Sequence, residues 1–343
     1  MPRHNNFDTL RIAAAIAVLI SHAFPIAYGS GATQPLGDIS RGQTNLGSIS
    51  VLIFFVISGY LITQSFDRVP VASRFLKARV LRIFPALFVV LLLSVAALGP
   101  AVTTLPLREY FAHPETLWYL PNNLSLFRMQ YTLPGVFEHV PRGRPVNGSL
   151  WTLQYEFMMY LVVLALGVAG LLTRWVVLAL WLVVLLLDWR WIGGDYVHFA
   201  DPFLAGAALY LWRDRVPLDW RLALLCFAAV AAAMQVGGFR LAFSTFGAYL
   251  TLYVALSPSV RLPDLARWGD MSYGVYIFAW PVQQLASFLL GPSVTWYWNV
   301  ALSLPPVLAL AWLSWHLVEK PALALKRASL PAARRPALEP PRG

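Results

Sequence analysis

The sequence carries a single cysteine, Cys226, set in the apolar stretch LLCFAAVAAAM. One thiol builds neither an intramolecular disulfide framework nor a cysteine metal cluster, and in that setting it reads as a small core residue. Charge is scarce as well. Only 12% of the 343 residues are Asp, Glu, Lys or Arg, while 58% are hydrophobic; a soluble domain carries about 25% charged residues, so an ordinary water-soluble globule is excluded. Also missing are the nucleophile elbow G-x-S-x-G, the zinc motif H-E-x-x-H, a P-loop and the dinucleotide motif G-x-G-x-x-G. Chemistry therefore has to come from His, Glu and Arg side chains carried on helices. No internal repeat and no second soluble domain is visible.

What is present is a series of apolar runs of membrane-spanning length, roughly 17–25 residues. The expected fold class is all-α, a polytopic membrane protein with about ten transmembrane helices. The spans are expected at 12–28, 48–66, 83–100, 149–170, 175–190, 197–212, 220–236, 240–257, 272–290 and 298–317. Long connections are expected only at 29–47 and 101–148. MPRHNNFDTLR followed by IAAAIAVLI has the outline of a signal peptide, but Asp8 and the closely following second span favour a retained helix. Residues 1–323 read as the membrane domain, and 324–343 as a disordered Pro- and Arg-rich tail. With the N-terminus inside, 19 of the 26 Lys and Arg residues fall on inside segments, the positive-inside pattern. Both termini are then cytoplasmic and the 101–148 loop is external. The same distribution accounts for the net charge of +10 without any nucleic acid partner.

Three groups of residues invite a chemical reading. Within FDTLRIAAAIAVLISHAFPI, Arg11 and His22 are eleven residues apart. That spacing rises about 16 Å and turns only some 20° past three full turns, so the two share a helix face. Arg11 alone would suit a snorkelling anchor, and His22 alone an interhelical hydrogen bond, but an ionisable group inside a membrane faces an interior or a cavity. Glu156, in NGSLWTLQYEFMMYLVVLALG, lies about 10 Å down a helix entering from the outer side, at the depth expected for His22. A carboxylate there costs roughly 2.5–3.5 kcal/mol on insertion scales and needs a partner, either His22 or a Tyr or Arg of another helix. In RVPVASRFLKARVLRIFP, Arg79 and Arg82 are three apart and share a face. With Arg74 and Lys77 they offer up to four cations for phosphate groups, unless they simply meet anionic lipid. Ser58-Gly59-Tyr60 allows close helix approach, and Glu319 and Lys320 are expected at the inner membrane surface.

These stretches are similar to the motifs of bacterial acyltransferase family 3. FDTLRIAAAIAVLISHAFPI resembles its first-span Arg and His, and LGSISVLIFFVISGYLIT its second-span signature. KARVLRIFPAL resembles its R-x-x-R-I-x-P element, and GSLWTLQYEFMMY its W-[ST]-L-x-x-E-x-x-x-Y segment. DMSYGVYIFAWPV and LSWHLVEKPAL resemble its ninth span and closing E-[KR]-P. The matches keep the family's order from residue 5 to about 323. One departure stands out: where many members carry a His in Y-L-W-H-W-P, this chain has Ala279, so no catalytic part falls to that position.

The resemblance implies transfer of an acyl group, usually acetyl, from cytoplasmic acyl-CoA to a hydroxyl of a carbohydrate or lipid-linked saccharide, in the bacterial inner membrane and among membrane lipids. It implies that Arg11 and His22 are essential and that Arg79 and Arg82 matter at the donor side; together with the reading of the residues themselves this makes a catalytic group of His22, Glu156 and Arg11 and a donor site of Arg79, Arg82, Arg74 and Lys77, with no metal expected. Ser58, Tyr60, Trp151 and Tyr160, within the matched motifs, are the acceptor-side candidates. The competing reading is a transporter or flippase of a saccharide lipid or anionic substrate, with His22 and Glu156 as a proton relay.

Overall fold

The computed structural model describes residues 5–190 and 192–326, so most of the expected tail lies outside the described residues. All regular structure among them is helical. Ten long helices occupy the ten expected span positions. Six combine the length and apolarity needed to cross a membrane: Phe7–Tyr28 (α1), Leu46–Arg68 (α2), Ala72–Val102 (α3), Leu150–Val168 (α4), Phe239–Leu256 (α8) and Trp296–Ala324 (α10). The other four, Arg174–Trp189 (α5), Gly194–Leu211 (α6), Trp220–Val236 (α7) and Ser272–Leu290 (α9), are shorter or more polar. Ten crossings are therefore not established, but the chain is an integral membrane protein. The polarity has a structural use. Asp188 of α5 pairs with Arg240 and His198, and Asp201 of α6 accepts from Trp181 at 3.0 Å and Ser244 at 2.5 Å.

The largest departure from the expected boundaries is in α3, whose helix starts eleven residues earlier than 83 and so carries all four basic residues. Its first turns are polar but helical, because the arginines are long, good helix formers and one face is taken up by the bundle. The helix α1 packs against α2, α9 and α10, and α4 packs against α2, α3 and α6. Where α2 crosses α6 the backbones touch: a methyl on Gly59 would overlap the Phe203 carbonyl, and one on Gly206 the Val56 carbonyl. The expected close approach at Gly59 is thus made against α6. Small residues do the same between α1 and α9, where Ala15 and Ala279 share one buried cluster. Ala279 is fully buried there.

Two prolines fasten the long connections to the bundle. A proline inside a helix has no N–H and so leaves the carbonyl four residues before it unpaired. Pro281 frees the Ile277 carbonyl of α9, and Asn147 donates to it at 2.8 Å. Pro25 frees the Ser21 carbonyl of α1, and Gln34 donates to it at 3.2 Å. Residues 143–147 are further held by Trp280 and Gln284, whose side-chain N–H groups donate to Pro145 and Gly143 carbonyls at 2.8–3.1 Å. The second long connection therefore folds inward over the middle of α9, where Trp280 also meets His22.

Candidate functional site

At one end of the bundle an ion network joins three helices through the residues just before a fourth, α9. Arg11 of α1 meets Asp270 at 3.0 Å, Asp270 meets Arg82 of α3 at 2.6 Å, and Arg82 meets Glu319 of α10 at 3.5 Å. Ser314 donates to Glu319 at 3.0 Å and Ser272 to Asp270 at 2.7 Å. Glu319 is only 1% exposed; it sits in a π-helical turn, Trp315–Glu319, which widens α10 where it faces Arg82. Burial raises the Asp270 carboxyl, but the two guanidinium groups and the Ser272 hydroxyl outweigh it and hold the group well below the usual carboxylate range. Because the folded value is the lower one, the stabilisation is present above the ordinary carboxylate range and is lost only in strong acid.

Behind this network lies a cavity of about 280 Å³. Arg11, Arg79, Arg82 and Asp270 line its basic end, with Lys326 beside them, and Ser58, Glu156, Tyr160, Thr152 and Tyr276 line its depth. Thr152 and Tyr276 share a hydrogen bond of 2.7 Å. Arg82 has its charge answered twice, whereas Arg79 makes no ion pair or hydrogen bond among the described residues. Its Nε is buried without a partner, and its guanidinium lies over the rings of Phe75 and Tyr160 at 5.8 and 5.6 Å. The shared face expected of Arg79 and Arg82 is formed. Arg74 and Lys77 are exposed and do not line the cavity, since at 100° per residue they turn away from the face that carries positions 75, 78, 79 and 82.

Arg11 and His22 also keep their common face, because both meet the α9 segment: Arg11 at Asp270, two residues before the helix, and His22 at Trp280 within it, whose ring it approaches edge-on at 4.7 Å. Trp280 is four residues, about one helical turn or roughly 6 Å, beyond Tyr276 of the cavity lining. The His22 Nδ1 is buried and has no partner among the described residues. Arg142, on the inward-folded connection, lies over the Trp280 ring at 5.7 Å and likewise has a buried Nε without a partner.

The expected contact between His22 and Glu156 is not formed. Glu156 accepts from Tyr160, one turn along α4, and it lies one turn nearer the basic end than Thr152. The depth count started α4 at the outer membrane surface. In the structure Asn147 and Ser149, just before α4, are already buried under the folded-in connection. Among the acceptor-side candidates, Ser58 and Tyr160 line the cavity. Tyr60 faces elsewhere, against Phe7 and Tyr210, and Trp151 packs edge-on with Tyr155 and Phe199. Asp270, Trp280 and Arg142 were missed. A lone Asp at the start of an apolar helix was the available signal for the first, and the Trp-Pro pair for the second.

The family model described as "Acyltransferase domain" matches residues 4–316. The chain is 32% identical to the protein named O-acetyl transferase of Shigella phage Sf6, over 93% of this chain and 96% of the phage protein. It is 30% identical to Nodulation protein 10 of Rhizobium leguminosarum bv. viciae, over 96% of each. Similarity to Peptidoglycan O-acetyltransferase OatA of Listeria monocytogenes is 24%, over 92% of this chain and 55% of the longer protein. No solved structure matches. Nearly the whole length, from the network arginines to the π-turn of α10, thus lies within one family model, and the chain belongs to acyltransferase family 3.

Proposed function

We propose that the protein transfers an acyl group, in its simplest form acetyl, from acyl-CoA to a hydroxyl of a carbohydrate or lipid-linked saccharide. The observation that carries this reading is a pair of unpartnered polar groups. Arg79 lies in the basic cavity, and the His22 imidazole meets Trp280, about one helical turn along α9 from Tyr276 of the cavity lining. The relatives' names support the carbohydrate half, since the Listeria protein is named a peptidoglycan O-acetyltransferase. Support for acyl-CoA comes from the cations, which suit phosphate oxygens.

In this reading the pantetheine arm enters at the basic end and reaches past Glu156 toward Thr152 and Tyr276. His22 takes the proton of the acceptor hydroxyl as that oxygen attacks the thioester carbonyl. The tetrahedral intermediate then collapses, the C–S bond breaks, and the CoA thiolate receives the proton. In the relay variant the acyl group rests on the imidazole first, dividing one transfer into two. Arg79 supplies charge to the donor. Arg82 and Arg11, tied to Asp270 and Glu319, position the mouth. Arg74 and Lys77 act at longer range, by steering an anionic donor. The transporter reading needed a His22–Glu156 relay, and no bond joins those residues among the described ones. Purified protein given acetyl-CoA and acceptor is expected to release free CoA thiol; transport without thiol release would favour the rival.

Arg79→Ala is expected to weaken acetyl-CoA binding by about 10–100-fold, the scale of one lost charge-assisted contact, with partial recovery in Arg79→Lys, which lacks the bidentate fork. Calorimetric titration reads this, and unchanged affinity would remove Arg79 from the donor site. The basic end should face the cytoplasm of a bacterial inner membrane, given the 19 inside basic residues. A cytoplasm-active reporter fused at the C-terminus is expected to report, and a fusion active only outside would reverse the orientation.

A further inference from the structure

A second and larger cavity, of about 990 Å³, opens at the same end of the bundle, between α1, α2, α6 and α8. Its floor is apolar, with Phe7, Leu209, Leu252 and Leu256, and three arginines line it: Arg68, Arg213 and Arg261. None of the three has a carboxylate within ion-pair distance among the described residues. The nearby acids are engaged elsewhere. Asp214, which itself lines the cavity, pairs with Arg174 at 2.9 Å, and Asp67 accepts from Tyr210 at 2.6 Å. Arg213 donates to the Tyr210 carbonyl at 2.9 Å and lies over the Tyr210 ring at 4.2 Å, which fixes its planar group at the wall. Asn6 donates to the Val254 and Val260 carbonyls at 2.8 and 2.9 Å, and so holds the segment bearing Arg261 against the start of α1.

The two cavities adjoin. Leu61 lines both, and on α1 Phe7 faces the larger one while Arg11, one turn on, faces the smaller. Size then divides the donor between them. About 280 Å³ falls at the bottom of the range for pockets that enclose drug-sized ligands, roughly 300–1,000 Å³. An acyl-CoA carries a pantetheine arm, a diphosphate, and an adenosine with its own 3′-phosphate, and it does not fit there whole. In addition Arg82, one of the four cations the sequence offers to phosphate groups, is already neutralised by two carboxylates. We infer that the larger cavity is the site for the nucleotide end of the donor. Its 3′-phosphate meets Arg68, Arg213 and Arg261, its base lies on the apolar floor, and its diphosphate crosses the Leu61 wall toward Arg11 and Arg79. This rests on the acyl-CoA reading above. Three unanswered guanidinium groups around a concave, apolar-floored site recognise a phosphate ester, and an anionic lipid headgroup offers the same chemistry from another source.

The test uses the full-length protein in nanodiscs and adenosine 3′,5′-bisphosphate as the probe. Wild type should bind it, and the triple variant Arg68→Ala, Arg213→Ala, Arg261→Ala should bind on the order of 100-fold more weakly, as expected for losing two or three charge-assisted contacts. The triple Lys variant should recover part of the affinity. In turnover, wild type should prefer acetyl-CoA to S-acetylpantetheine, and the triple Ala variant should lose that preference. Equal bisphosphate affinity in wild type and triple Ala variant would overturn the site. So would an effect of the substitutions that appears only in nanodiscs containing phosphatidylglycerol and vanishes in phosphatidylcholine, which would make the cavity a lipid site. Bisphosphate binding through these arginines in a protein that never cleaves acetyl-CoA would leave the site standing and overturn the acyl-transfer reading instead.

Discussion

His22→Ala should lower acyl transfer by about 10²–10⁴-fold, the usual cost of removing a general base, while acetyl-CoA still binds. The two effects separate because His22 is not part of the cavity lining. The ring has one close aromatic neighbour, Trp280, and its buried Nδ1 has no partner to lose. Truncation therefore strands no hydrogen-bonding group, which is the costly case for a buried substitution. Stability should fall little, and the Kd for acetyl-CoA should stay near the wild-type value. Near-normal transfer by this variant would reduce the imidazole to a packing contact of α1 on α9. One further experiment separates the two chemical routes. Wild-type protein given radiolabelled acetyl-CoA without acceptor should stay unlabelled if His22 is a direct base, and should carry label at His22 if it is a relay.

Arg82→Ala should act in the opposite way, on the fold before the chemistry. The residue is the middle of the chain Arg11–Asp270–Arg82–Glu319. Without it Asp270 keeps Arg11, but Glu319, 1% exposed, keeps only the Ser314 hydroxyl. Breaking a buried pair by removing one partner costs about 3–5 kcal/mol, because it leaves a charge out of water and unanswered. In thermal unfolding this should lower the midpoint by on the order of 10 °C. Pairing Arg82→Ala with Glu319→Gln should recover a large part of that loss by removing the stranded charge. A single variant as stable as wild type would contradict the network.

Much of the architecture was legible because it is written locally. Hydropathy located ten helices to within a few residues, apart from the early starts of α1 and α3 and the late end of α10, and helical periodicity placed Arg11 with His22 and Arg79 with Arg82. Pairing across the fold was not legible. Asp270 is 259 residues from Arg11, and nothing in the periodicity of either helix connects them. The sequence leaves the partner of Glu156 open between His22 and a Tyr or Arg of another helix, and the structure gives Tyr160 of the same helix, while the connection before α4 folds into the bundle, held by Asn147 on the carbonyl that Pro281 leaves open. Glu319 was expected at the inner membrane surface. The π-turn Trp315–Glu319 is a local change of helical register that composition does not announce, and it brings the residue into contact with Arg82. The Ala at position 279 was read as lacking a catalytic part, and its burial against Ala15 on α1 gives it a packing one.

The most direct measurement of the central claim follows the acyl group itself. Purified protein in lipid vesicles is supplied with acetyl-CoA labelled in the acetyl group, together with the surface polysaccharide of the cell that makes it. Label should appear on the polysaccharide as a base-labile ester, with one CoA thiol released per ester formed, and both signals should disappear in His22→Ala. If wild-type protein moves the polysaccharide across the vesicle membrane while the label stays on acetyl-CoA, the acyl-transfer account is wrong.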